Sequence, residues 1–223
     1  MARMARVVVA GYPHHVTQRG NRRQRTFFDD ADFGYYIDLM AEFSRMARTE
    51  VWAYCLMPNH VHLVMVPEKA DGLRVTLSEV HRRYTRRINF RHGWRGHLWQ
   101  ERFHSFVMDE RHLLATVRYV ENNPVVARLT AKAEQWRYSS ATAHMKGRDD
   151  DLVRVQPMLS RVPDWGDYLA GTEVPVEETE LIQRHSRTGR PLGSQSFIEQ
   201  LESLTGKPLA PKKPGPVPRK RVR

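Results

Sequence analysis

Two histidines separated by one residue are the first candidates for chemistry. His60 and His62 lie in segment 60–66, which alternates as a β-strand does, so both imidazoles should project from the same face. Neutral imidazoles so placed can hold one divalent metal. Because the chain has 11 histidines, one such pair is weak evidence by itself. Polar residues on the open face of a sheet are an equally good interpretation, and the other nine histidines are most simply surface or satisfied core residues.

A tyrosine on a later helix could supply a nucleophile. At 100° per residue, Tyr119 and Asn123 fall on a different arc from the apolar stripe of segment 110–122. That stripe consists of Leu113, Leu114, Val117 and Val120. Tyr119 is therefore either an ordinary exposed tyrosine or one presented to a site on the sheet or on a partner subunit. Asn123, one turn later, offers an oxygen ligand.

Together these residue types suggest cleavage of a phosphodiester. A metal held by His60, His62 and an oxygen such as that of Asn123 would polarise the phosphate and leave sites for phosphate oxygens and water. Tyr119 would attack in line and form a phosphotyrosine with a free 3′ hydroxyl. Mg²⁺ prefers oxygen ligands, so a site with two histidines should accept Mn²⁺ at least as readily.

The elements that must position these residues alternate between strands and helices. Hydrophobic patterns predict strands at 15–19, 51–57, 60–66 and 103–108, and helices at 29–48, 73–90 and 110–122. This order predicts an α+β fold, a ferredoxin-like antiparallel sheet with helices packed on one face. A further helix at 134–145 should close the domain.

The remainder of the chain divides into an extension and a tail. We expect a catalytic domain over 1–147, an extension over 148–206 with two short helices at 177–185 and 194–204, and a basic tail over 207–223. Ser196 and Glu199 are spaced as a capping box for the second of these helices. The tail has five prolines and seven Lys or Arg residues, with little to bury, and is predicted to be disordered.

The charge of the chain indicates nucleic acid as its partner. Lys and Arg total 36 against 25 Asp and Glu, a formal charge of +11, which attracts polyanions. Three arginines lie in the polar loop 20–26 and four lie on the solvated side of the predicted second helix. The expected DNA contacts are Arg19, Arg22, Arg23, Arg25, Arg82, Arg83, Arg86, Arg87 and Arg102.

The single cysteine, Cys55, lies in an apolar run and is most simply a small buried hydrophobe. One cysteine can form no disulfide within the chain, which favours a reducing compartment. No stretch approaches about 18 apolar residues. We therefore expect a cytoplasmic protein without a membrane segment.

Three segments of the sequence are motifs that can be compared with known families: Met57-Pro-Asn-His-Val-His-Leu-Val64, Leu98-Trp-Gln-Glu-Arg-Phe-His-Ser-Phe106 and Arg118-Tyr-Val-Glu-Asn-Asn-Pro-Val125. The first resembles the HUH motif of single-tyrosine transposases, and the other two resemble the REP-associated tyrosine transposases in particular. The resemblance implies the HUH nuclease fold and cleavage beside the foot of a REP hairpin through a 5′-phosphotyrosine. It also implies that single-stranded or hairpin DNA is the partner.

The resemblance further implies roles for individual residues. It places metal ligands at His60 and His62, the nucleophile at Tyr119 and a further metal-site side chain at Asn123. The arginines of loop 20–26 sit where such family members contact DNA. One departure is Glu121, a carboxylate that could lie near the metal and either weaken phosphate approach or assist proton transfer.

Two other functions stay open at this point. The chain could be a non-catalytic or domesticated regulator that binds hairpin DNA, or another HUH nuclease such as a replication initiator or relaxase. The intact set of His60, His62 and Tyr119 argues against the regulator. The sequence leaves open whether the protein is a monomer or a homodimer.

Overall fold

A four-stranded antiparallel sheet lies at the centre of the structure. Its strands are β1 (His14–Arg19), β2 (Thr49–Met57), β3 (His60–Pro67) and β4 (His104–Val107), and their order across the sheet is β2-β3-β1-β4. The structure is a computed structural model that describes residues 6–171 and 175–210. One helix follows β1 and another follows β3, which is the predicted ferredoxin-like α+β arrangement.

The helices fall into a first group that belongs to the sheet domain and a second group in the extension. The first group is α1 (Asp30–Met46), α2 (Gly72–His92), α3 (Glu110–Glu121), α4 (Asn123–Val126) and α5 (Ala141–Met145). The second group is α6 (Gln156–Leu159), α7 (Trp165–Ala170), α8 (Val176–Thr188) and α9 (Gln195–Thr205).

One face of the sheet is covered by α1 and α2. The side chain of Asp29 accepts a hydrogen bond from the backbone N–H of Asp32 at 2.9 Å and so caps the start of α1. Tyr36 and Met40 of α1 and Tyr84 of α2 are fully buried in the core on this face. This amphipathic packing accounts for the periodicity that predicted both helices.

The opposite face is covered by α3 and the helices of the extension. Cys55 and Val64 of the sheet share a core with Val117 of α3, Trp165 of α7 and Ile182 of α8. The prediction that helices lie on one face only is therefore wrong. The physical reason is that β2 is apolar at consecutive positions, which is typical of a strand buried on both faces.

The prediction of one helix over 134–145 is also wrong. A 3₁₀ turn occupies Ala133–Gln135 and α5 begins only at Ala141. Between them the backbone runs beside β2, where the Leu56 N–H donates to the Tyr138 carbonyl at 2.9 Å and the Ser140 N–H donates to the Tyr54 carbonyl at 3.0 Å. In this segment the backbone therefore hydrogen-bonds to free N–H and C=O groups of β2 in place of the hydrogen bonds of a helix.

The extension also differs from its prediction. It contains α6 and α7 in addition to the two expected helices, and its apolar side chains join the core on the α3 face. The cap of α9 is Ser194, whose hydroxyl accepts from the Phe197 N–H at 3.2 Å, so the predicted capping box at Ser196 and Glu199 is wrong. Residues 211–223, most of the predicted disordered tail, lie outside the described residues.

Two simpler expectations concern Cys55 and membrane segments. Cys55 is fully buried, as predicted, and burial raises the pKa of its thiol. Within residues 6–171 and 175–210, no helix combines the length and the apolar character needed to cross a membrane. The cytoplasmic location stays a prediction.

His14 is buried in its neutral form at the start of β1. Its Nδ1–H donates to the Tyr12 carbonyl at 2.8 Å, while its Nε2 accepts from the Val9 N–H at 3.1 Å. A second proton would lie on Nε2, and this N–H would then face the N–H of Val9. Burial accordingly lowers the pKa of His14 from 6.5 to about 4.

We predict that the stability contributed by neutral His14 is lost on acidification. Its pKa is depressed in the folded state, so the contribution is complete above pH 6.5 and falls as the pH approaches about 4. Between pH 7.5 and 5.0 the loss should be about 2 kcal/mol. In urea unfolding at both pH values, His14→Gln should show a correspondingly smaller difference, because glutamine can keep both hydrogen bonds without titrating.

The matched control is His97→Gln, which changes an exposed histidine and should keep the pH dependence of the wild type. An unchanged pH dependence in His14→Gln would contradict the assignment.

Candidate active site

The two histidines of β3 project from the face that α3 covers. In the sheet register, His60 lies opposite Arg19 and His62 lies opposite Thr17 on β1. The two imidazole ring centroids are 4.8 Å apart. His62 is buried and His60 is half-buried, whereas Val61 between them packs in the core on the other face. Strand alternation thus produces the predicted arrangement of the pair.

Both imidazoles are held through Nδ1. The Nδ1 of His60 lies 2.6 Å from the Oδ1 of Asn59, and the Nδ1 of His62 lies 3.0 Å from the Nε2 of His15. With both Nδ1 atoms so engaged, the Nε2 atoms are the ones placed to bind a metal. Burial, with Arg19 as the second cause, lowers the pKa of His60 to about 4. Burial also lowers the pKa of His62 well below its ordinary value, so both rings are neutral, the form that ligates metals.

His15 is a site residue that the sequence analysis missed. The sequence favours an ordinary surface or core histidine at this position, yet the ring lies edge to edge with that of His62 in nearly the same plane, with centroids 5.3 Å apart and an angle of 2° between planes. Burial lowers the pKa of His15 to about 3, so it is a neutral partner. The signal in the sequence was its alternation with Thr17 and Arg19 on β1, which becomes informative only when the pairing of β1 with β3 is known.

Tyr119 of α3 lies against this imidazole cluster in the same chain. Its ring stands edge-on to His62 with centroids 5.5 Å apart and edge-on to His15 at 6.2 Å. Burial raises the pKa of the Tyr119 hydroxyl, and hydrogen bonding from Gln183 and Asn123 acts in the opposite direction. The structure therefore brings the predicted nucleophile and the predicted histidines together.

Asn123 is the first residue of α4 and lies beside the Tyr119 hydroxyl. Within the described ranges, no group of three or more His, Cys, Asp or Glu side chains is placed to hold a metal ion. A third protein ligand beside His60 and His62 would therefore come from another residue type, and the amide oxygen of Asn123 is suitable. These assignments stay predictions.

Glu121 points away from the imidazole cluster. Its fully buried carboxylate accepts from the Nδ1 of His144 at 2.7 Å, from the indole N–H of Trp165 at 2.9 Å and from the hydroxyl of Ser140. All three donors belong to the segment after α4. The expectation that this carboxylate could act near the metal is therefore wrong, and its contacts indicate a role in tying α3 to α5 and, through Trp165, to the extension.

Five of the predicted DNA-contacting arginines lie at one end of the sheet, beside His60. Arg19 is exposed at the end of β1, and the loop after it is held by Asn59, whose side chain donates to the Arg23 carbonyl at 3.1 Å. Arg22 and Arg23 adopt left-handed φ values of 53° and 60°, a conformation that costs roughly 1–2 kcal/mol per residue. Those five arginines are Arg19, Arg22, Arg23, Arg25 and Arg102.

The other four predicted arginines lie on α2, on the opposite side of the sheet. Arg82 pairs with Glu79 at 2.6 Å, and Arg83 lies 3.7 Å from the same carboxylate. The guanidinium of Arg87 lies over the ring of Tyr35 at 4.4 Å. The predicted DNA-binding set, which also includes Arg86, is therefore divided between two faces.

Comparison with known proteins identifies sequence and fold relatives. A family model described as "Transposase IS200 like" matches residues 8–123, a range that contains all four predicted catalytic and metal-site residues. A Haemophilus influenzae protein that bears the name of a REP-associated tyrosine transposase is 28% identical over 102 residues. This match covers 41% of the present chain and 58% of that relative, so the chain spans less than two thirds of the relative's length.

The fold is similar to that of a solved structure, a REP-associated tyrosine transposase bound to a REP hairpin. The TM-score is 0.57 at 19% sequence identity, over 68% of this chain and 90% of the other. This similarity confirms the predicted fold. The matched region ends at Asn123 in the family model, so the extension lies outside it.

We predict that Glu121→Gln destabilises the fold without weakening metal binding. The loss of a buried, fully hydrogen-bonded carboxylate should lower the free energy of unfolding by about 2 kcal/mol. Urea unfolding measures this loss, and isothermal titration with Mn²⁺ measures metal affinity.

Glu110→Gln is the matched control on the same helix. Glu110 pairs with Arg161 at the surface, where an ion pair contributes little, so both measurements should stay close to the wild type. Weaker Mn²⁺ binding by Glu121→Gln at unchanged stability would restore Glu121 to the metal site.

Proposed function

Because this chain belongs to the family of IS200-like transposases, we propose that it cuts and rejoins single-stranded DNA at hairpin sequences through a covalent bond to Tyr119. The observation that carries this proposal is that the Tyr119 ring lies beside the neutral imidazole of His62, which in turn lies beside that of His60, within one chain. The similar solved protein is bound to a REP hairpin, and we propose a hairpin of this kind as the substrate.

The reaction is a transesterification. The Tyr119 oxygen attacks the phosphorus in line, the bond to the 3′ oxygen breaks, and a 5′-phosphotyrosine and a free 3′ hydroxyl form. Attack of a 3′ hydroxyl on the phosphotyrosine rejoins the strand. Since one phosphate ester replaces another, no nucleotide triphosphate is consumed.

A divalent cation, Mg²⁺ or Mn²⁺, would polarise the scissile phosphate and neutralise the charge that develops on it. The Nε2 atoms of His60 and His62 and the amide oxygen of Asn123 would hold it. Asn59 and His15 keep the two imidazole rings in place through their Nδ1 atoms.

The exposed arginines at the His60 end of the sheet would bind the DNA backbone. Arg19 lies opposite His60 in the register, so its guanidinium can reach a phosphate held beside the imidazoles. The loop that bears Arg22, Arg23 and Arg25 follows at once. Because Tyr119 and His62 meet within one chain, a monomer contains every residue that this proposal requires.

We predict a covalent protein–DNA adduct that depends on Tyr119. Wild-type protein, Mn²⁺ and a labelled hairpin oligonucleotide with single-stranded flanks should give an adduct on a denaturing gel. Tyr119→Phe and His60→Ala should give none, because the first lacks the attacking oxygen and the second lacks a metal ligand.

Tyr12→Phe is the control, since it removes the hydroxyl of another half-buried tyrosine outside the site, and it should form the adduct normally. An adduct that persists in Tyr119→Phe would move the nucleophile elsewhere. No adduct from the wild type over a panel of hairpins would favour the regulator that only binds DNA.

We also predict that the two arginine groups differ in their contribution to DNA binding. Replacing four site-side arginines with Gln should reduce the logarithmic salt slope for single-stranded DNA by about 2 to 3, close to 0.7 per phosphate contact. Replacing the four on α2 should reduce it by about half as much, because Glu79 already neutralises part of that group. The first set is Arg19, Arg22, Arg23 and Arg25, and the second is Arg82, Arg83, Arg86 and Arg87.

Fluorescence anisotropy at several salt concentrations measures both slopes. A larger loss for the α2 set than for the site-side set would place the DNA on the opposite face of the sheet.

A further inference from the structure

Helix α8 lies beyond the residues that the family model matches, yet it packs directly against the candidate active site. Ile182 is buried in the same core as Val117 and Val120 of α3. One turn later, the ring of His185 lies 5.9 Å from that of Phe106 on β4. Helix α8 therefore crosses from the helix that bears Tyr119 to β4 and to β1, which bears His15.

Ser186 makes the first contact between α8 and the candidate active site. The hydroxyl of Ser186 lies 3.3 Å from the Nδ1 of His15, and the Nε2 of His15 lies 3.0 Å from the Nδ1 of His62. The three side chains form a chain of hydrogen bonds that begins on α8 and ends at a predicted metal ligand.

Gln183 makes the second contact between α8 and the candidate active site. Residues three apart in a helix lie on the same side, so Gln183 faces the site together with Ser186. The Gln183 side chain lies at the Tyr119 hydroxyl, where Asn123 is the other polar neighbour. The side chains of Gln183 and Asn123 both hydrogen-bond to that oxygen.

We propose that α8 is part of the active site in this chain, with Gln183 positioning the oxygen of Tyr119 and Ser186 positioning His62 through His15. This inference rests on the proposed function and deepens it. It makes Gln183 a catalytic residue, because it touches the attacking atom, whereas Ser186 and His15 are positioning residues.

The hydrogen-bond chain also couples α8 to metal binding. When His62 offers Nε2 to a metal, its proton is on Nδ1 and is donated to the Nε2 of His15. The proton of His15 is then on Nδ1 and is donated to the hydroxyl of Ser186. Metal binding would thus fix the direction of every hydrogen bond in this chain, and the hydroxyl of Ser186 can accept the last of them.

The first experiment measures Mn²⁺ affinity by isothermal titration. Ser186→Ala should bind Mn²⁺ several-fold more weakly, and His15→Phe about 10-fold more weakly, as loss of an outer-shell partner requires. Ser160→Ala, which changes an exposed serine of the extension that donates to a backbone carbonyl, is the control and should bind normally. Wild-type affinity in both Ser186→Ala and His15→Phe would overturn the positioning role. If His15→Phe does not fold, Ser186→Ala decides alone, because it changes a residue outside the buried core.

The second experiment tests Gln183 with Gln183→Met, which keeps the approximate shape and removes the amide. At saturating Mn²⁺ and DNA, the single-turnover rate of adduct formation should fall about 10-fold or more, with both affinities unchanged. The control is Gln200→Met, because Gln200 lies on α9 and donates to the hydroxyl of Tyr12 at 3.1 Å, away from the site. An unchanged rate in Gln183→Met would overturn the role of Gln183.

A measurement that needs no activity completes the test. In ¹H–¹⁵N spectra, the side-chain amide signal that disappears in Gln183→Met should shift in Tyr119→Phe, whereas the signal that disappears in Gln200→Met should not. An unmoved Gln183 signal would show that the amide does not contact the hydroxyl. If the wild type forms no adduct, the proposed function fails, while the Mn²⁺ affinities and the amide shifts still decide whether α8 contacts the site.

Discussion

The site depends on keeping a cluster of imidazoles neutral inside a sheet that is covered on both faces. His62 is removed from water and lies beside His15 and His60, so a proton on any of these rings would be a buried charge next to other bases. His60 and His62 are each fixed by a partner at Nδ1, and His15 has a partner at both nitrogens. A neutral, oriented imidazole is also what a metal requires, so the constraint that stabilises the core is compatible with the predicted role of His60 and His62 as metal ligands.

Burial on both faces also limits where a substrate can approach. His60 is half-buried at the end of β3, Asn59 precedes it in the turn, and Arg19 is exposed on the neighbouring strand. The Arg22–Arg23 backbone is held at the same end in a strained conformation, and the hydrogen bond from Asn59 helps to maintain it. Exposed positive charge is thus concentrated where the imidazoles come nearest to the surface.

The sequence alone predicted the elements and the local geometry of the site, because strand and helix periodicity are local properties. Alternation placed His60 and His62 on one face, and helical spacing separated Tyr119 from its own apolar stripe. Which face of the sheet each helix covers is set by tertiary packing, so the positions of α2 and α3 were not predicted. His15 and Gln183 were missed for the same reason, since their roles depend on contacts with residues distant in sequence.

The end of α3 shows how the extension and the site depend on each other. Tyr119 and Asn123, four residues apart, face the imidazoles, whereas Glu121 and Asn122 face the other way. The carboxylate of Glu121 is held by three donors from beyond α4, and the amide of Asn122 donates to the Leu169 carbonyl at 3.2 Å. Side chains of α5, of the residue before it and of the extension therefore hold the side of α3 opposite Tyr119, the predicted nucleophile. A tyrosine on a helix end held only by its own backbone would fray with the last turn, and these anchors remove that freedom.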